Sequence, residues 1–185
     1  MEGTVSLQKS TMANLELMQD NIESYSRRSC LRIHGIPVEE KEENEKPLSI
    51  LEGCYKEMDL TFDPQEIARV HRVGQEYIDR VTGKKVKSLI VKFKSWKSRE
   101  KFYRARPRTY VNGKKKPGRP LFLVSVDLTK RRYNLLRSAM GMMNQNSNIK
   151  FIFADINCSL AIKINEESLK YFNTKQELNS ILSKY

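Results

Sequence analysis

The order of apolar patterns along the chain predicts an α+β protein with three parts: an N-terminal helix, a ferredoxin-like split βαβ domain and a small α-β-β-α domain. The first observation is a Gly- and Pro-free segment near the N-terminus with apolar residues at helical spacing. The second is the order strand, helix, strand, strand, helix, strand between Cys30 and Val126. The third is a helix, two strands and a helix after that domain. These patterns divide the chain into residues 1–28, 29–126 and 127–185.

The N-terminal segment, residues 7–26, carries four apolar residues at spacings of three, four and three: Leu15, Met18, Ile22 and Tyr25. This spacing is that of the a and d positions of about two heptads. Two interpretations follow from the pattern. The segment is either a coiled coil through which copies of the chain associate, or a single amphipathic helix that docks on its own domain.

The second part begins with "SCLRIHGIP", a strand pattern that Pro37 ends. An acidic loop leads to Pro47, a residue favoured in the first turn of a helix, and apolar residues then recur at helical spacing from 48 to 58. "IARVHRVG" is the next strand and "QEYIDRVTGKK" a polar loop. "VKSLIVKF" alternates clearly and predicts the third strand.

Ser95 is a suitable N-cap for the next helix, and Pro107 ends that helix. The Gly and Pro content of "GKKKPGRP" predicts a basic hairpin loop, and "LFLVSV" is the last strand of the domain. This succession of elements predicts a four-stranded antiparallel sheet with two helices on one face. RNA-recognition motifs have the same architecture and use the open sheet face for binding.

The third part opens with "DLTKRRYNLL", where Asp127 is the expected N-cap of a helix that runs to about Asn144. A polar Asn/Ser turn follows, and then the strands "IKFIFA" and "SLAIKI". Thr174 and Glu177 form a capping-box pattern for the final helix.

Charge is distributed unevenly along the chain, whose formal net charge is +12. Residues 84–132 contain 18 Lys and Arg against two acids, whereas residues 38–66 contain ten acids against three lysines. Repulsion within the basic segment costs stability, so we expect a polyanion as partner. Nucleic acid fits this expectation better than a membrane surface, because no basic amphipathic helix with bulky apolar anchors is evident.

Other classes of protein and site lack support in the sequence. No apolar run approaches the length of a membrane span, and the N-terminus lacks the apolar core of a signal peptide. The three cysteines are widely spaced, which favours reduced thiols in the cytosol or nucleus. Motifs for nucleotide binding, zinc proteases or serine hydrolases are absent, and His34 and His71 are the only histidines. We therefore expect no catalytic residues, no metal and no cofactor.

Strand alternation predicts which side chains of the sheet face solvent. If Leu31, Ile33, Ala68, Val70, Leu89, Val91 and Phe93 face the helices, the open face carries Arg32, His34, Arg69, His71, Ile90, Lys92 and Lys94. This face is basic and lacks the stacking aromatics of a standard RNA-recognition motif. Phosphate contacts carry no sequence information, so we expect salt-sensitive binding that tolerates any sequence. Further phosphate contacts are expected from the hairpin loop, at Lys114, Lys115, Lys116 and Arg119.

Three cations, Lys130, Arg131 and Arg132, lie in the first turn of the helix that follows Asp127. The helix dipole favours acidic residues at that position. Cations beside the unpaired amides of a helix start would instead build an anion site that a phosphate satisfies. We therefore expect the Arg pair to hold phosphates, while Lys130 either joins them or points to water.

The segments "SYSRRSCLRIHGIP", "IARVHRVG", "SLIVKFKSWKSREKF" and "FLVSVDLTKRRYNLLRSA" resemble, in order and spacing, the first-open-reading-frame protein of LINE-type (non-LTR) retrotransposons over roughly residues 22–180. The baculovirus few-polyhedra protein is more distantly similar. The resemblance implies an N-terminal coiled coil that forms a homotrimer, a non-standard RNA-recognition motif and a small C-terminal domain. It also implies cooperative binding of single-stranded RNA or DNA, nucleic-acid chaperone activity and packaging of element RNA into a cytoplasmic ribonucleoprotein.

The resemblance also implies roles for single residues. The family's arginine pair, important for binding and chaperoning, matches Arg131 and Arg132. A nucleic-acid-contacting aromatic matches Phe153, and a basic residue on the following strand matches Lys163. Matching basic positions of the first domain are Arg27, Arg28, Arg69 and Arg72. The heptad pattern here is shorter than the family's coiled coil.

We therefore predict a non-enzymatic binder and chaperone of single-stranded nucleic acid, RNA and also DNA, with low sequence specificity. The alternative is a protein-interaction adaptor whose coiled coil recruits partners and whose basic surface binds acidic proteins.

Overall fold

The computed structural model describes residues 2–38, 46–80, 82–107, 110–111, 114–115, 121–143 and 146–184. Within these ranges the chain forms five α-helices and two larger antiparallel sheets, of four and three strands, so it is a mixed α+β protein. Residues 29–127 form one compact unit, here called the central unit. Residues 1–28 and 128–185 together form the other, here called the terminal unit. The N-terminal helix, predicted as a separate part, thus belongs with the C-terminal segment.

The elements follow one another in the order helix α1 (Glu2–Arg27), strand β1 (Cys30–His34), α2 (Pro47–Glu57), β2 (Ile67–Ile78), β3 (Lys85–Phe93), α3 (Trp96–Ala105), β4 (Tyr110–Val111), β5 (Lys114–Lys115) and β6 (Leu123–Val126). The terminal unit continues with α4 (Lys130–Met143), β7 (Ile149–Ala154), β8 (Leu160–Ile164), β9 (Lys170–Phe172) and α5 (Lys175–Leu182). Strands β4 and β5 pair with each other; β5 lies within the segment predicted as a basic hairpin loop, and β4 lies just before that segment.

The central sheet has the strand order β2-β3-β1-β6, with every neighbouring pair antiparallel. The side chains predicted to face the helices on β1 and β3 are almost completely buried: Leu31, Ile33, Leu89, Val91 and Phe93. Phe102 of α3 lies 5.7 Å from Phe93 and 4.8 Å from Tyr55 of α2, between ring centroids. Alternation along these strands therefore predicted the core correctly.

Strand β2 departs from the prediction in two ways. Its register with β3 shifts between Ile67 and Arg69, so Ala68 lies in an irregularity and is exposed, although the alternation placed it on the helix side. The strand also continues through Tyr77 and Ile78, which pair with β3 where a polar loop was predicted. The irregularity at Ala68 adds one residue to β2 relative to β3, so the residues of β2 that precede it lie on the opposite face from the one that alternation predicts.

The terminal sheet has the order β7-β8-β9, and one of its faces packs against α4 and α5. The buried residues of this core are Ala139, Ile149, Ile152, Leu160, Ile162, Ile164, Phe172 and Leu178. Strand β9 was not predicted, so this part of the chain is α-β-β-β-α rather than α-β-β-α. With only three residues, one of them buried, β9 is too short for alternation to reveal it.

Two of the three predicted helix caps are present. The Ser95 hydroxyl accepts from the Ser98 amide, and the Thr174 hydroxyl accepts from the Glu177 amide, each at 3.1 Å. The Asp127 cap was wrong: α4 begins at Lys130, and Thr129 Oγ1 accepts from the Arg132 amide at 3.2 Å.

Helix α1 docks on its own unit, but not through the apolar residues whose spacing suggested the docking, and association of copies through those residues stays a prediction. Asp20 and Ser24 are buried within the terminal unit, so the helix docks on its own unit. Leu15, Met18, Ile22 and Tyr25 are 59–73% exposed, so the a/d seam is unpartnered within this chain's described residues. No helix among those residues is both long enough and apolar enough to cross a membrane.

Candidate nucleic-acid interface

The open face of the central sheet carries a pair of opposed cations. Arg69 of β2 and Lys92 of β3 are register partners, and both side chains are exposed. Among the residues that the structure describes, neither has an acidic partner. Like charges directly opposite on neighbouring strands repel, so this part of the sheet gains stability when an anion lies over it. Lys94, two residues further on, is also exposed.

Arg32, at the centre of the same face, is compensated. Its Nη2 donates to Asp127 Oδ1 at 2.8 Å and its Nε donates to the same oxygen at 3.3 Å. Asp127 is buried, and Arg32 is partly buried. The sequence identified Asp127 as a helix cap, whereas it holds an arginine across the pair β1–β6. The charge of Arg32 is therefore less available to a phosphate than the sequence analysis assumed.

His34 joins three strands at the other end of this face. Its Nδ1 lies 3.0 Å from Ser88 Oγ on β3, and its Nε2 lies 2.9 Å from Ser125 Oγ on β6. Burial and the nearby Arg32 lower the pKa of His34, and Asp127 opposes them with a smaller effect. The imidazole is therefore neutral near pH 7 and adds no positive charge here.

Arg72 links two backbone segments through hydrogen bonds. Its register partner is Leu89, so it lies on the opposite face from Arg69. Its Nη1 donates to the carbonyls of Lys87 at 2.7 Å and Ile36 at 3.1 Å, and its Nη2 donates to that of Pro37 at 2.6 Å. These bonds hold the segment after β1 against β3, which makes Arg72 structural rather than the predicted phosphate contact.

The arginines at the end of α1 differ from each other. Arg27 forms an ion pair of 2.7 Å with Glu23 and also contacts the Leu128 carbonyl at 3.5 Å. Arg28 is exposed, and its guanidinium lies 3.7 Å from the centroid of the Tyr25 ring. Of the two, Arg28 is the more accessible to a phosphate.

The predicted Arg131–Arg132 pair is divided by the structure. Arg132 is buried, and its Nε donates to Asp20 Oδ2 at 2.9 Å. Its Nη1 donates to the Cys158 carbonyl at 2.9 Å and its Nη2 to Asn21 Oδ1 at 2.8 Å. The Thr129 hydroxyl donates to the other Asp20 oxygen. Arg132 thus holds α1 against α4 instead of offering its charge to a ligand.

Lys130 and Arg131 are the accessible cations of this helix start. Lys130 is exposed, and Arg131 is partly exposed while its Nη1 donates to the Asn173 carbonyl at 3.1 Å. Asp20 Oδ2 lies 3.7 Å from Arg131. The acid that the helix dipole favours at this position therefore comes from α1, more than a hundred residues earlier in the chain.

The outer face of the terminal sheet carries Phe153 and Lys163 on the adjacent strands β7 and β8, and their contact with nucleic acid stays a prediction. By register Lys163 is opposite Phe151, while Phe153 is opposite Ala161, which in turn pairs with Tyr171. Phe151 and Tyr171 are both exposed, and the sequence analysis missed them. The alternation in "KFIFA" could have revealed Phe151, whereas Tyr171 lies on the unpredicted strand.

For the predicted basic hairpin loop, the structure describes only the backbone of Lys114 and Lys115. Lys114 and Lys115 form β5, and Lys116 and Arg119 lie outside the described residues. In the described part of the chain, no group of three or more His, Cys, Asp or Glu residues could hold a metal ion.

No protein-family model matches the chain, and no curated protein is significantly similar to it.

Proposed function

We propose that this protein is a non-enzymatic binder of single-stranded RNA and DNA with low sequence specificity, and that it acts as a nucleic-acid chaperone in a retrotransposon-type ribonucleoprotein. The observation that carries the proposal is the opposed pair Arg69–Lys92 on the open face of the central sheet. Two exposed cations on neighbouring strands, without an acidic partner in the described residues, favour an anionic ligand.

The arrangement of the central unit supports the same proposal. Its strand order, β2-β3-β1-β6, and its helices α2 and α3 packed on one face agree with an RNA-recognition-motif architecture whose other face is open. Residues 29–127 contain 22 Lys and Arg against 14 Asp and Glu. The unit as a whole therefore attracts a polyanion before any specific contact forms.

The character of the open face explains the expected lack of specificity. Arg69, Lys92 and Lys94 are long, exposed cations that reach phosphates, and phosphates are the same at every position of a strand. A chaperone must attract strands and still allow them to rearrange. Several weak phosphate contacts permit this, because each can be broken without losing the others.

Association of several copies through α1 is part of the proposal. The seam residues Leu15, Met18, Ile22 and Tyr25 are exposed, and the flanking Asn14, Gln19 and Asn21 are uncharged, while Arg28 places a cation over Tyr25 at the C-terminal end of the seam. A homo-oligomer, a trimer by the family resemblance, would place several binding faces on one strand.

The test is the salt dependence of binding to a fluorescent single-stranded oligonucleotide, followed by anisotropy. For single strands the logarithm of affinity falls with the logarithm of salt with a slope of about −0.7 per phosphate neutralised. The double variant Arg69→Gln/Lys92→Gln should therefore bind more weakly and reduce the slope by about 1.4. Lys101→Gln is the matched control, since it removes an exposed charge from α3, on the covered side of the sheet.

A flat salt response of the unaltered protein, or a strong preference for one sequence, would contradict the proposal. The exposed seam also favours the adaptor alternative, in which α1 recruits other proteins. Measuring the size of the particle with and without an oligonucleotide separates the two functions, because only a nucleic-acid binder forms a larger particle with the oligonucleotide alone.

A further inference from the structure

The outer face of the terminal sheet exposes three aromatic rings. Phe151 is 58% exposed, Phe153 37% and Tyr171 54%, while the other face of the same strands forms the core under α4 and α5. Rings exposed together on one sheet face are unusual in a protein without a partner, because each is more stable away from water.

The register sets the spacing of the three rings. Phe153, Ala161 and Tyr171 form one row across β7, β8 and β9, and Phe151 lies in the next row beside Lys163. Neighbouring strands are about 4.8 Å apart, so Phe153 and Tyr171 begin about 10 Å from each other. Phe151 and Phe153 are two residues apart on one strand, a distance of about 6.8 Å.

Ala161 gives this row its shape. Its Cβ points to the aromatic face by register, yet it has no exposed surface. Neighbouring side chains therefore cover its methyl group, and Phe153 and Tyr171 flank it on the two adjacent strands. A large side chain at this position would have filled the space between Phe153 and Tyr171.

We infer that Phe151, Phe153 and Tyr171 form a stacking platform for unpaired bases of a single strand. The inference rests on the proposed function and identifies where the bases, rather than the phosphates, are held. Neither Phe151 nor Tyr171 is implied by the family resemblance. Every base has a ring face, so stacking adds affinity without selecting a sequence.

The spacing along β7 selects an extended strand. Successive bases on one strand of B-DNA rise by about 3.4 Å, half the separation of Phe151 and Phe153. Consecutive bases can occupy both rings only after they have separated from each other and from a complementary strand. A duplex, whose bases are stacked and paired, cannot use the platform.

Charge around the platform favours nucleic acid over an apolar protein surface. Lys163 lies beside Phe151, and a nearby acid, Glu166, is paired with Lys150 while also interacting with the charge of Lys163. Residues 128–185 contain nine Lys and Arg against four Asp and Glu. A strand whose bases stack on the rings has its phosphates within reach of this positive charge.

The experiment uses the full chain, a fluorescent 20-nucleotide deoxythymidine oligomer and a duplex of the same length. The variants Phe151→Leu and Tyr171→Leu keep an apolar side chain and remove the ring. Loss of one stacked base weakens binding about fivefold or more, so each variant should lose at least that much single-strand affinity. Affinity for the duplex and the slope against salt should stay unchanged, because no phosphate contact is removed.

Tyr133→Leu is the matched control, since Tyr133 is 50% exposed in the same unit but lies on α4. Phe151→Trp should retain affinity, because it restores a ring, and this would exclude a general loss of folding as the cause. Circular dichroism of each variant checks the fold directly.

Unchanged single-strand affinity in both leucine variants would overturn the platform, and so would an equal loss of duplex affinity. If a leucine variant differs in particle size from the unaltered protein when no oligonucleotide is present, the platform would also be overturned, because the face would then bind a protein partner. If the unaltered protein shows salt-dependent binding and the leucine variants match it, only the platform fails. If the unaltered protein binds no oligonucleotide, the proposed function fails as well.

Discussion

Removing the Asp20 carboxylate should destabilise the terminal unit far more than removing an ordinary surface acid. Asp20 is buried and accepts from Arg132 Nε at 2.9 Å, with Arg131 a further 3.7 Å away. In Asp20→Ala the buried Arg132 keeps only the Cys158 carbonyl and the Asn21 amide oxygen. Leaving one partner of a buried pair uncompensated costs about 3–5 kcal/mol, a large share of the roughly 5–15 kcal/mol that holds a domain folded.

The assay is urea unfolding of the full chain followed by circular dichroism, with fluorescence of Trp96, the only tryptophan, as a separate probe of the central unit. For an m-value of about 1.5 kcal/mol per molar urea, the loss corresponds to a midpoint lower by about 2 M or more. Glu23→Ala is the control, because it breaks the partly exposed pair with Arg27 and should cost less than about 1 kcal/mol.

The double variant Asp20→Ala/Arg132→Met completes the cycle. Once the buried charge is gone, the second substitution should recover about 2 kcal/mol or more relative to the sum of the single losses. A single Asp20→Ala loss within 1 kcal/mol of the Glu23→Ala loss, or strictly additive values, would refute the buried pair. Such a result would also restore Arg132 as a phosphate ligand, since its charge would then be uncompensated in the folded state.

Two further predictions concern other parts of the chain. Because the pKa of His34 is lowered in the folded state, the unfolded chain binds a proton first as pH falls below about 6.5; stability is therefore full above that pH and declines below it. Thermal unfolding between pH 7.5 and 5 should show this decline, and His34→Gln should reduce it; an unchanged pH profile in the variant would contradict the assignment. Ile22→Asp on the exposed seam of α1 should reduce the particle mass measured by light scattering, whereas Gln8→Asp, at the exposed N-terminal end, should change it less. A monomeric mass for the unaltered protein would contradict association through the seam.

Elements that depend on near neighbours in sequence were predictable. Leu31, Ile33 and Val91 follow a period of two, and Ser95 and Thr174 stand three residues from the amides that they accept. The physical causes of these features lie within one strand or one helical turn. Alternation and capping rules contain that information, so the core of β1 and β3 and two helix starts were correct.

Features that depend on distant residues were not predictable. Arg132 and Asp20 are 112 residues apart, and no local pattern marks Asp20 as the acid that occupies the start of α4. The irregularity at Ala68 arises from pairing with β3, and Tyr171 belongs to a strand of three residues that exists because β8 is beside it. Of the face that we propose as a stacking platform, the sequence analysis named Phe153 and Lys163 but neither Phe151 nor Tyr171.

The cations that the structure describes on the two sheets and at the start of α4 differ in what surrounds them, and this difference affects how tightly one copy would bind a nucleic acid. Arg32 and Arg132 are compensated by buried acids, while Arg69 and Lys92 are exposed and opposed. Under the proposed function, one copy would therefore make fewer phosphate contacts than its net charge of +12 suggests, and its affinity for a short strand should be modest. Copies joined through α1 would raise the effective concentration of these contacts on a long strand.

Breaking the seam with Ile22→Asp should therefore weaken binding of a long single strand by a factor of ten or more, on the order expected for lost multivalency, and leave binding of a strand that fits one copy unchanged. Equal losses on both strands would mean that the seam supports the fold of the terminal unit rather than the sharing of a ligand among copies.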